Sequence, residues 1–344
     1  MNNKFLNRLL AFALATLVAI SLGHWSAVQA QTSTTPQNGS GLVDLPFNSN
    51  TDGDFYIPEG LESDTRAIVG TDDRVPLTES AFPWSTIGPL YWVSADGTIL
   101  SSCTGTLVGR DVVLTNSHCL GHPATGRTVS PAAYRAMQDK LVFVPNMIEG
   151  NFVSEDVAIV TDNYSYGWST NPGSPQHDWA LLKLNKPLGN TYGYLGWRSL
   201  DFSNPAVLST MQNTVTLAGY SADYPDRLTR QRLGLGGSEG ETAGRHQRCS
   251  INGQVEGGIL HNCDTMSGAS GSALFARFTD GQYYILGLHR GSLDLSPASL
   301  PANQRQTCRR YESGTGRVIT VPACTNLAVP VSSWSAQAAA MRTP

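Results

Sequence analysis

The amino-acid sequence predicts an all-β fold, and three observations support this prediction. Among the 344 residues are 34 glycines and 19 prolines, which favour turns and short strands over long helices. Apolar residues make up 40% of the chain, enough for sizeable cores, which excludes a purely disordered protein. Short β-branched or aromatic runs recur between turn-forming residues. With 15% charged residues and a net charge of −4, the chain lacks the basic signature of a nucleic-acid-binding protein.

The first thirty residues are typical of a secretory signal peptide. Lys4 and Arg8 precede an apolar run, Leu9–Gly23, and a small-residue cleavage site ends at Ala30. The run has about 15 residues, shorter than the roughly 20 that a membrane-spanning helix needs. We therefore expect residues 1–30 to be removed on export, leaving an extracellular or periplasmic protein with no membrane association.

Residues 31–66 are expected to form a propeptide or linker. They are rich in Thr, Ser, Asn, Gly and acidic residues and show little apolar periodicity. Apolar runs separated by turns begin at Ala67, directly after Arg66, which would suit a trypsin-like processing enzyme. The folded body is therefore expected at 67–344.

The body is predicted to consist of short strands with little helix. Strands are expected at Leu90–Val93, Gly105–Val108, Val112–Thr115, Leu141–Val144, Ala180–Leu184, Val215–Ala218, Ala273–Phe275 and Tyr283–Leu288. Short helices are expected at Pro131–Gln138 and Ser335–Arg342. The glycine-rich stretch Gly234–Gly240 lacks the spacing of a dinucleotide-binding motif and is expected to be a loop.

The cysteines indicate disulfides and argue against a metal site. Export favours disulfides, and no two cysteines form a CxxC pair. Of the 15 possible pairings we expect the three sequential ones. These are Cys103–Cys119, Cys249–Cys263 and Cys308–Cys324. Each would close a short loop worth about 3 kcal/mol in the chain-entropy description.

Three segments supply the residue types of nucleophilic catalysis. His118 follows Leu114–Ser117, Asp178 precedes an apolar strand, and Ser270 lies in a Gly-Ala-Ser-Gly-Ser segment. A serine hydroxyl becomes a nucleophile when an imidazole accepts its proton, and the imidazole needs a carboxylate that fixes its tautomer. We therefore predict His118 as base, Asp178 as its carboxylate partner and Ser270 as nucleophile.

The residues around Ser270 also predict an oxyanion hole. Gly268 lets the backbone turn, so that the amides of Gly268 and Ser270 could face a developing oxyanion; one such donor is worth about 3 kcal/mol. An α/β-hydrolase is disfavoured, because its motif needs glycine where Ser272 stands and its catalytic residues follow another order.

The sequence resembles the bacterial glutamyl endopeptidases, a branch of the chymotrypsin-fold serine peptidases. The matching segments are Val69–Arg74, Ser102–Gly105, Thr115–Cys119, Asn190–Gly196, Asp264–Thr265, Gly268–Ser272 and Gly287–His289. The resemblance implies two antiparallel β-barrels, at 67–195 and 196–344, with the active site in the cleft between them and a short C-terminal helix. It also implies cleavage of internal peptide bonds through an acyl-enzyme.

The resemblance bears on the choice of carboxylate as well. Asp156, within Glu155–Ile159, competes with Asp178 for the role. Asp178 is preferred, because the sequence from Asp178 to Asn190 matches the family pattern continuously. Asp156 is expected at the surface.

Substrate preference is expected to depend on residues before Ser270 and on the strand Ile285–Ser292. In the resembling family, a histidine and a threonine at the positions of His289 and Thr265 bind a glutamate carboxylate, so cleavage after Glu is the leading hypothesis. Ser292 could add a hydroxyl. The alternative is cleavage after Arg or Lys, because Asp264 stands where trypsin-like enzymes carry the acid that receives a basic side chain.

We expect protein or peptide substrates, a processing protease that acts near Arg66, and a monomeric product. No nucleic acid, metal or other cofactor is expected. The resemblance further implies that the mature amino terminus assists carboxylate binding; Ala269 agrees with this, since it cannot form the ion pair with the new terminus that trypsins use. An inactive peptidase scaffold that serves in binding is a competing hypothesis, disfavoured by the intact catalytic residues.

Overall fold

A computed structural model describes residues 72–170, 174–255, 257–294, 308–312, 317–321 and 324–342, with side chains from 293 to 324 excluded. The strands are β1 (Arg74–Pro76), β2 (Ile87–Val93), β3 (Ile99–Gly109), β4 (Val112–Thr115), β5 (Lys140–Phe143), β6 (Ala158–Tyr166), β7 (Ala180–Leu184), β8 (Gly196–Trp197), β9 (Val215–Gly219), β10 (Gly244–Cys249), β11 (Ile251–Val255), β12 (Gly258–His261), β13 (Ala273–Arg277), β14 (Tyr283–Asp294), β15 (Cys308–Glu312), β16 (Arg317–Val321) and β17 (Cys324–Pro330). The helices are α1 (Pro131–Ala136), α2 (Gly189–Tyr192), α3 (Pro205–Thr210), α4 (Arg227–Leu233) and α5 (Ser335–Arg342).

The first half of the body forms a closed barrel. Its strands follow the order β2-β3-β4-β7-β6-β5, and β5 pairs with β2 to close the ring. All neighbouring strands in it are antiparallel. Leu107, Phe143 and Leu182 are fully buried and belong to the core of this barrel. Because the ring is closed, none of its six strands has an unpaired edge, and each strand buries one apolar face in the barrel core.

The second half forms a curled sheet in the order β1-β10-β9-β13-β14-β17-β12-β11, with β8 parallel to β14. Its own core includes the fully buried Phe202, Leu274 and Phe278. The predicted all-β architecture with a short C-terminal helix is confirmed; of the two predicted antiparallel barrels, the first is closed and the second is a curled half-barrel sheet. The second unit is curled and open: within the described residues its end strands, β1 and β11, each pair on one side only.

Each chain terminus of the described body packs against the distant unit. β1 pairs with β10 of the second sheet, with Arg74 opposite His246. At the other end, α5 lies against the first barrel, where the guanidinium of Arg342 donates to the carbonyl of Leu195 at 2.8 Å. A third apolar cluster, which contains the buried Trp84, Trp197 and Trp334, joins the two units.

The eight predicted strands and both predicted helices are present. Helix α5 has the predicted bounds, and the Gly234–Gly240 stretch lies between α4 and β10 without strand or α-helix. Two of the three predicted disulfides are confirmed, Cys103–Cys119 and Cys249–Cys263. The predicted Cys308–Cys324 pair lies outside the residues whose side chains are described, as do the predicted signal peptide and propeptide. No helix among the described residues is long and apolar enough to span a membrane.

Strands with polar sequences were missed by the sequence analysis. β10 reads Gly-Arg-His-Gln-Arg-Cys, which lacks the apolar alternation of a half-buried strand. It forms because β1 and β9 pair with it on both sides. Tertiary pairing overrides a weak local preference here.

Candidate active site

Two neighbouring strands of the barrel place His118 and Asp178 at the same rim. β4 ends at Thr115, opposite Ala180, the first residue of β7. His118 comes three residues after β4, in the 3₁₀ turn His118–Leu120, and Asp178 comes two residues before β7. Because the two strands are antiparallel, the end of one lies beside the start of the other. The side-chain amide of Asn116 donates to the carbonyl of Asp178 at 2.7 Å and ties the two turns together.

His118 and Asp178 form a hydrogen-bonded pair. His118 Nδ1 lies 2.8 Å from Asp178 Oδ2, and the backbone amide of His118 donates to Oδ1 at 3.0 Å. The Asp178 side chain is fully buried, whereas that of His118 is 33% exposed. Burial alone would raise the pKa of Asp178, but the hydrogen bonds and charge of His118 and the charge of Arg290 hold it below its usual value. The carboxylate is therefore ionised at neutral pH and keeps a proton on Nδ1, which leaves Nε2 free to accept one.

Ser270 lies beside this pair, in the turn between β12 and β13. Its carbonyl accepts from the amide of Thr104 on β3 at 2.8 Å, and Cys119 Sγ lies 3.9 Å from the same oxygen. The Cys103–Cys119 disulfide links the His118 turn to β3. Ser270 is thus held at the barrel rim that carries His118. Its hydroxyl makes no hydrogen bond to any described residue; catalytic hydrogen bonds are often long in ligand-free structures.

Backbone conformation at two glycines shapes the turn around Ser270. Gly268 has φ +95°, and a Cβ there would lie 2.5 Å from the carbonyl oxygen of Tyr220; Gly271 has φ +88°, and a Cβ there would lie 2.2 Å from that of Thr104. Only glycine fits such positions without strain. Within the described residues the amides of Gly268 and Ser270 have no acceptor. They are available to a ligand, as an oxyanion hole requires.

A chain of hydrogen bonds runs through the predicted pocket residue His289 and ends at Thr265. The amide of Cys263 donates to His261 Nδ1 at 3.3 Å, His261 Nε2 lies 3.2 Å from His289 Nδ1, and His289 Nε2 lies 3.1 Å from Thr265 Oγ1. Because an amide can only donate, the proton of His261 is on Nε2, and this order places the proton of His289 on Nε2 as well. His289 thus directs an N–H towards Thr265.

Both histidines of this chain are held neutral. Burial first, and then the positive charges of His118 and Arg290, lower the pKa of His289 to about 3. Burial and the neighbouring His289 lower the pKa of His261 well below its usual value. His289 is therefore a neutral donor at every pH at which the protein would work.

The other predicted pocket residues differ in their surroundings. The carboxylate of Asp264 accepts from the amide of Asp73 at 3.0 Å and lies 3.2 Å from His246 Nδ1. It is therefore engaged with the amino-terminal segment. Ser292 is exposed on β14, opposite Asn326.

The alternative carboxylate, Asp156, is not paired with His118. It lies in the 3₁₀ turn Ser154–Asp156 and accepts from the hydroxyl of Tyr192 at 2.6 Å. Asp156 is half-buried rather than fully exposed. The preference for Asp178 agrees with this geometry.

Three residues of this region were not predicted from the sequence. Arg290 Nε lies 3.3 Å from Asp178 Oδ2, and the ring centre of Trp168 lies 6.4 Å from that of His118. The third is His261. A histidine two residues before a disulfide cysteine was a usable signal for His261, but nothing local pointed to Trp168 or Arg290.

Two groups of described side chains have metal-ligating atoms within 4.8 Å of one another. The first combines His118 with Cys103 and Cys119, whose sulfurs are joined in a disulfide and so provide no thiolate. The second combines Asp73, His246 and Asp264, but His246 Nδ1 already accepts from the amide of Asp264 at 2.8 Å. The sulfurs of the first group, being joined in a disulfide, do not fit a tetrahedral zinc site.

Comparisons with known proteins agree with this geometry. A family profile described as the trypsin-like peptidase domain matches residues 103–284. Glutamyl endopeptidase of Bacillus licheniformis is 24% identical over 239 residues, which is 66% of this chain and 65% of the relative. Extracellular metalloprotease of Bacillus subtilis is 28% identical over 148 residues, 42% of this chain and 43% of the relative. This chain therefore spans less than two thirds of the length of either relative.

A solved structure of Glu endopeptidase in complex with MPD has the same fold. It superposes with a TM-score of 0.51 and 20% identity, covering 81% of this chain and all of that one. The fold is thus that of the chymotrypsin-like serine proteases. The matched domain spans more than half of the chain and includes His118, Asp178 and Ser270. The chain accordingly belongs to the family of trypsin-like serine peptidases.

Proposed function

We propose that this protein is a secreted serine endopeptidase that cleaves after glutamate through an acyl-enzyme. The observation that supports catalysis most directly is the 2.8 Å contact between His118 Nδ1 and the buried, ionised Asp178. It leaves Nε2 of His118 as a base beside the turn that carries Ser270.

The reaction proceeds in two stages. Ser270 Oγ attacks the scissile carbonyl carbon while its proton passes to His118 Nε2, and the amides of Gly268 and Ser270 donate to the oxyanion. His118 then gives the proton to the leaving amine as the C–N bond breaks, which yields the acyl-enzyme. Water attacks the ester, its proton passes to His118, and the proton returns to Ser270 as the acid product leaves.

The glutamate preference is supported by the state of His289 and Asp264. His289 is neutral and directs an N–H towards Thr265, an arrangement that suits a carboxylate acceptor. Asp264, the residue that would favour Arg or Lys, is engaged by the Asp73 amide and by the nearby charge of Arg74. Its charge is thereby partly satisfied before any substrate binds.

Cleavage of paired peptides tests this preference. Two internally quenched peptides would differ only in having Glu or Arg before the scissile bond, and we expect the Glu peptide to have the higher kcat/KM. Loss of one hydrogen bond to a charged group costs about 1.5–3 kcal/mol, so His289→Leu, which has no donor, should lower kcat/KM for the Glu peptide by about 10- to 150-fold.

Asp264→Asn distinguishes the alternative. Under the proposal the variant keeps the wild-type order of the two peptides. Faster cleavage of the Arg peptide by the wild type, lost in Asp264→Asn, would instead establish a trypsin-like pocket.

Export and maturation are part of the proposal. The apolar run Leu9–Gly23 and the cleavage site at Ala30 support a signal peptide, and the name of the Bacillus subtilis relative describes an extracellular enzyme. Processing near Arg66 by another protease would leave an amino terminus a few residues before β1. Amino-terminal sequencing of the protein recovered from the medium tests both points; an intact Met1 would contradict them.

A further inference from the structure

Arg290 contacts the carboxylate that orients His118. Its Nε lies 3.3 Å from Asp178 Oδ2, the same oxygen that binds His118 Nδ1 at 2.8 Å. The Arg290 side chain is 23% exposed, whereas that of Asp178 is fully buried. An arginine keeps its charge throughout the working pH range. The catalytic base therefore shares its partner with a permanent cation.

The strand β14 explains how one segment serves both the pocket and the catalytic pair. Neighbouring side chains on a strand point to opposite faces. His289 accordingly contacts Thr265, and Arg290 contacts Asp178. The register of β14 against β17 shifts between His289 and Gly291, which marks a bulge at Arg290. Bulges re-aim side chains and are common beside active sites.

We propose that Arg290 is a positioning residue that holds Asp178 in place and extends the activity of the enzyme to lower pH. The inference rests on the proposed function, since it presumes that His118 acts as the base. Within the described residues Arg290 makes no hydrogen bond to Ser270, and in the reaction described above it has no role toward the substrate. It acts through Asp178.

The direction in which Arg290 changes the pH dependence of activity follows from the charges that face Asp178. These are His118, from the turn after β4, and Arg290, from β14. His289 lies close enough to interact with all three but is held neutral, and Cys119 is in a disulfide. Arg290 offsets part of the Asp178 charge, so Asp178 stabilises protonated His118 less. Activity is therefore expected to extend to lower pH than it would without this cation.

Two substitutions separate charge from position. Arg290→Gln removes the charge, and we expect the acid limb of kcat/KM to move up by about 0.5 to 1 pH unit, because a unit charge several ångströms away acts through an effective dielectric between those of protein and water. Arg290→Lys keeps the charge but lacks the Nε donor. It should leave the acid limb near that of the wild type and lower kcat by about 2- to 5-fold at unchanged KM.

The matched control is Arg198→Gln, which removes a different arginine, itself buried, from its ion pair with Asp280. It should lower the melting temperature without moving the acid limb. A wild-type acid limb in Arg290→Gln, or an equal shift in Arg198→Gln, would overturn the proposal. If Arg290→Gln does not fold, wild-type kcat in Arg290→Lys would overturn the positioning role.

The readout that separates this proposal from the proposed function is the rate of Ser270 labelling by an organophosphonate, followed against pH. Labelling needs an activated serine but no particular residue before the scissile bond. A processed wild-type protein that is not labelled would refute the proposed function. If the wild type is labelled and Arg290→Gln shows the same pH dependence of labelling, the role of Arg290 is refuted while the proposed function stands.

Discussion

The His118–Asp178 pair depends on a balance of effects at single residues. Asp178 is fully buried, and burial favours the neutral acid. Two hydrogen bonds from His118 and the charge of Arg290 outweigh this and hold the pKa of Asp178 below its usual value. A carboxylate that lost these partners would no longer fix the His118 tautomer.

Replacing Asp178 by Asn should lower kcat by about 10⁴-fold, because an amide that donates to Nδ1 selects the wrong imidazole tautomer. Turnover of a Glu peptide at pH 8 measures the effect. Asp156→Asn is the matched control, since Asp156 binds Tyr192 and should not affect kcat. If the two variants lost activity equally, the assignment of Asp178 would be wrong.

Ser270→Ala provides a second test at this scale. Removing the nucleophile should reduce kcat by about 10⁶-fold, leaving the residual rate that binding and the oxyanion amides supply. The same variant should keep the wild-type melting temperature, because the half-buried hydroxyl makes no hydrogen bond to a described residue. Undiminished hydrolysis in Ser270→Ala would show that another residue is the nucleophile.

At the scale of elements, the two described disulfides anchor different parts of the site. Cys103–Cys119 ties the His118 turn to β3, and Cys249–Cys263 ties the end of β10 to the segment before Asp264 and Thr265. In the proposed mechanism, the first would support the base and the second the pocket wall. Their removal should therefore change different kinetic constants.

The double variant Cys103→Ser/Cys119→Ser should slow labelling of Ser270, because the His118 turn loses its covalent link. Cys249→Ser/Cys263→Ser should mainly raise KM for a Glu peptide. Both should lose about 3 kcal/mol of stability, since the loops are similar in length. Denaturant unfolding measures the loss of stability. Labelling rates and steady-state kinetics show whether reactivity of Ser270 or KM has changed. The same kinetic change in both variants would contradict this division.

For the whole molecule, contacts between the two β-units hold the cleft together. Trp84, Trp197 and Trp334 are fully buried in the cluster that joins them. β1 pairs with the second sheet, while α5 packs on the first barrel, so each end of the described body crosses to the other unit. Relative movement of the units would break these contacts, which favours a rigid cleft.

Buried neutral histidines predict how global stability depends on pH. The pKa of His289 is lowered to about 3 in the fold, whereas an unfolded histidine titrates near 6.5. Between these values the unfolded chain binds more protons, so the free energy of unfolding falls as the pH falls. His289 contributes about 1.4 kcal/mol per pH unit in this window.

Thermal unfolding between pH 6.5 and 4 measures this dependence. The melting temperature should fall with acidification, by about 2–4 °C for each kcal/mol lost. His289→Gln should make the melting temperature less dependent on pH, by the contribution of one histidine. An identical pH dependence in wild type and variant would show that His289 is not held neutral by the fold.

The sequence itself carried the information for the parts that depend on neighbouring residues. Short β-branched runs predicted eight strands, and close cysteine spacing predicted two disulfides that the structure contains. The residue types around His118, Asp178 and Ser270 predicted a catalytic set. Such patterns are local, so periodicity and spacing are sufficient to recognise them.

Only the tertiary structure decided which distant groups share an environment. Arg290 meets Asp178 across 112 residues, His261 meets His289 across 28, and Asp73 engages Asp264 across 191. Tertiary structure also decided that the second sheet is open and that the polar strand β10 lies between two partners. The physical reason is that charge, burial and hydrogen bonding depend on distance in space, which strand order and a bulge determine, whereas sequence periodicity reports only the local face of each element.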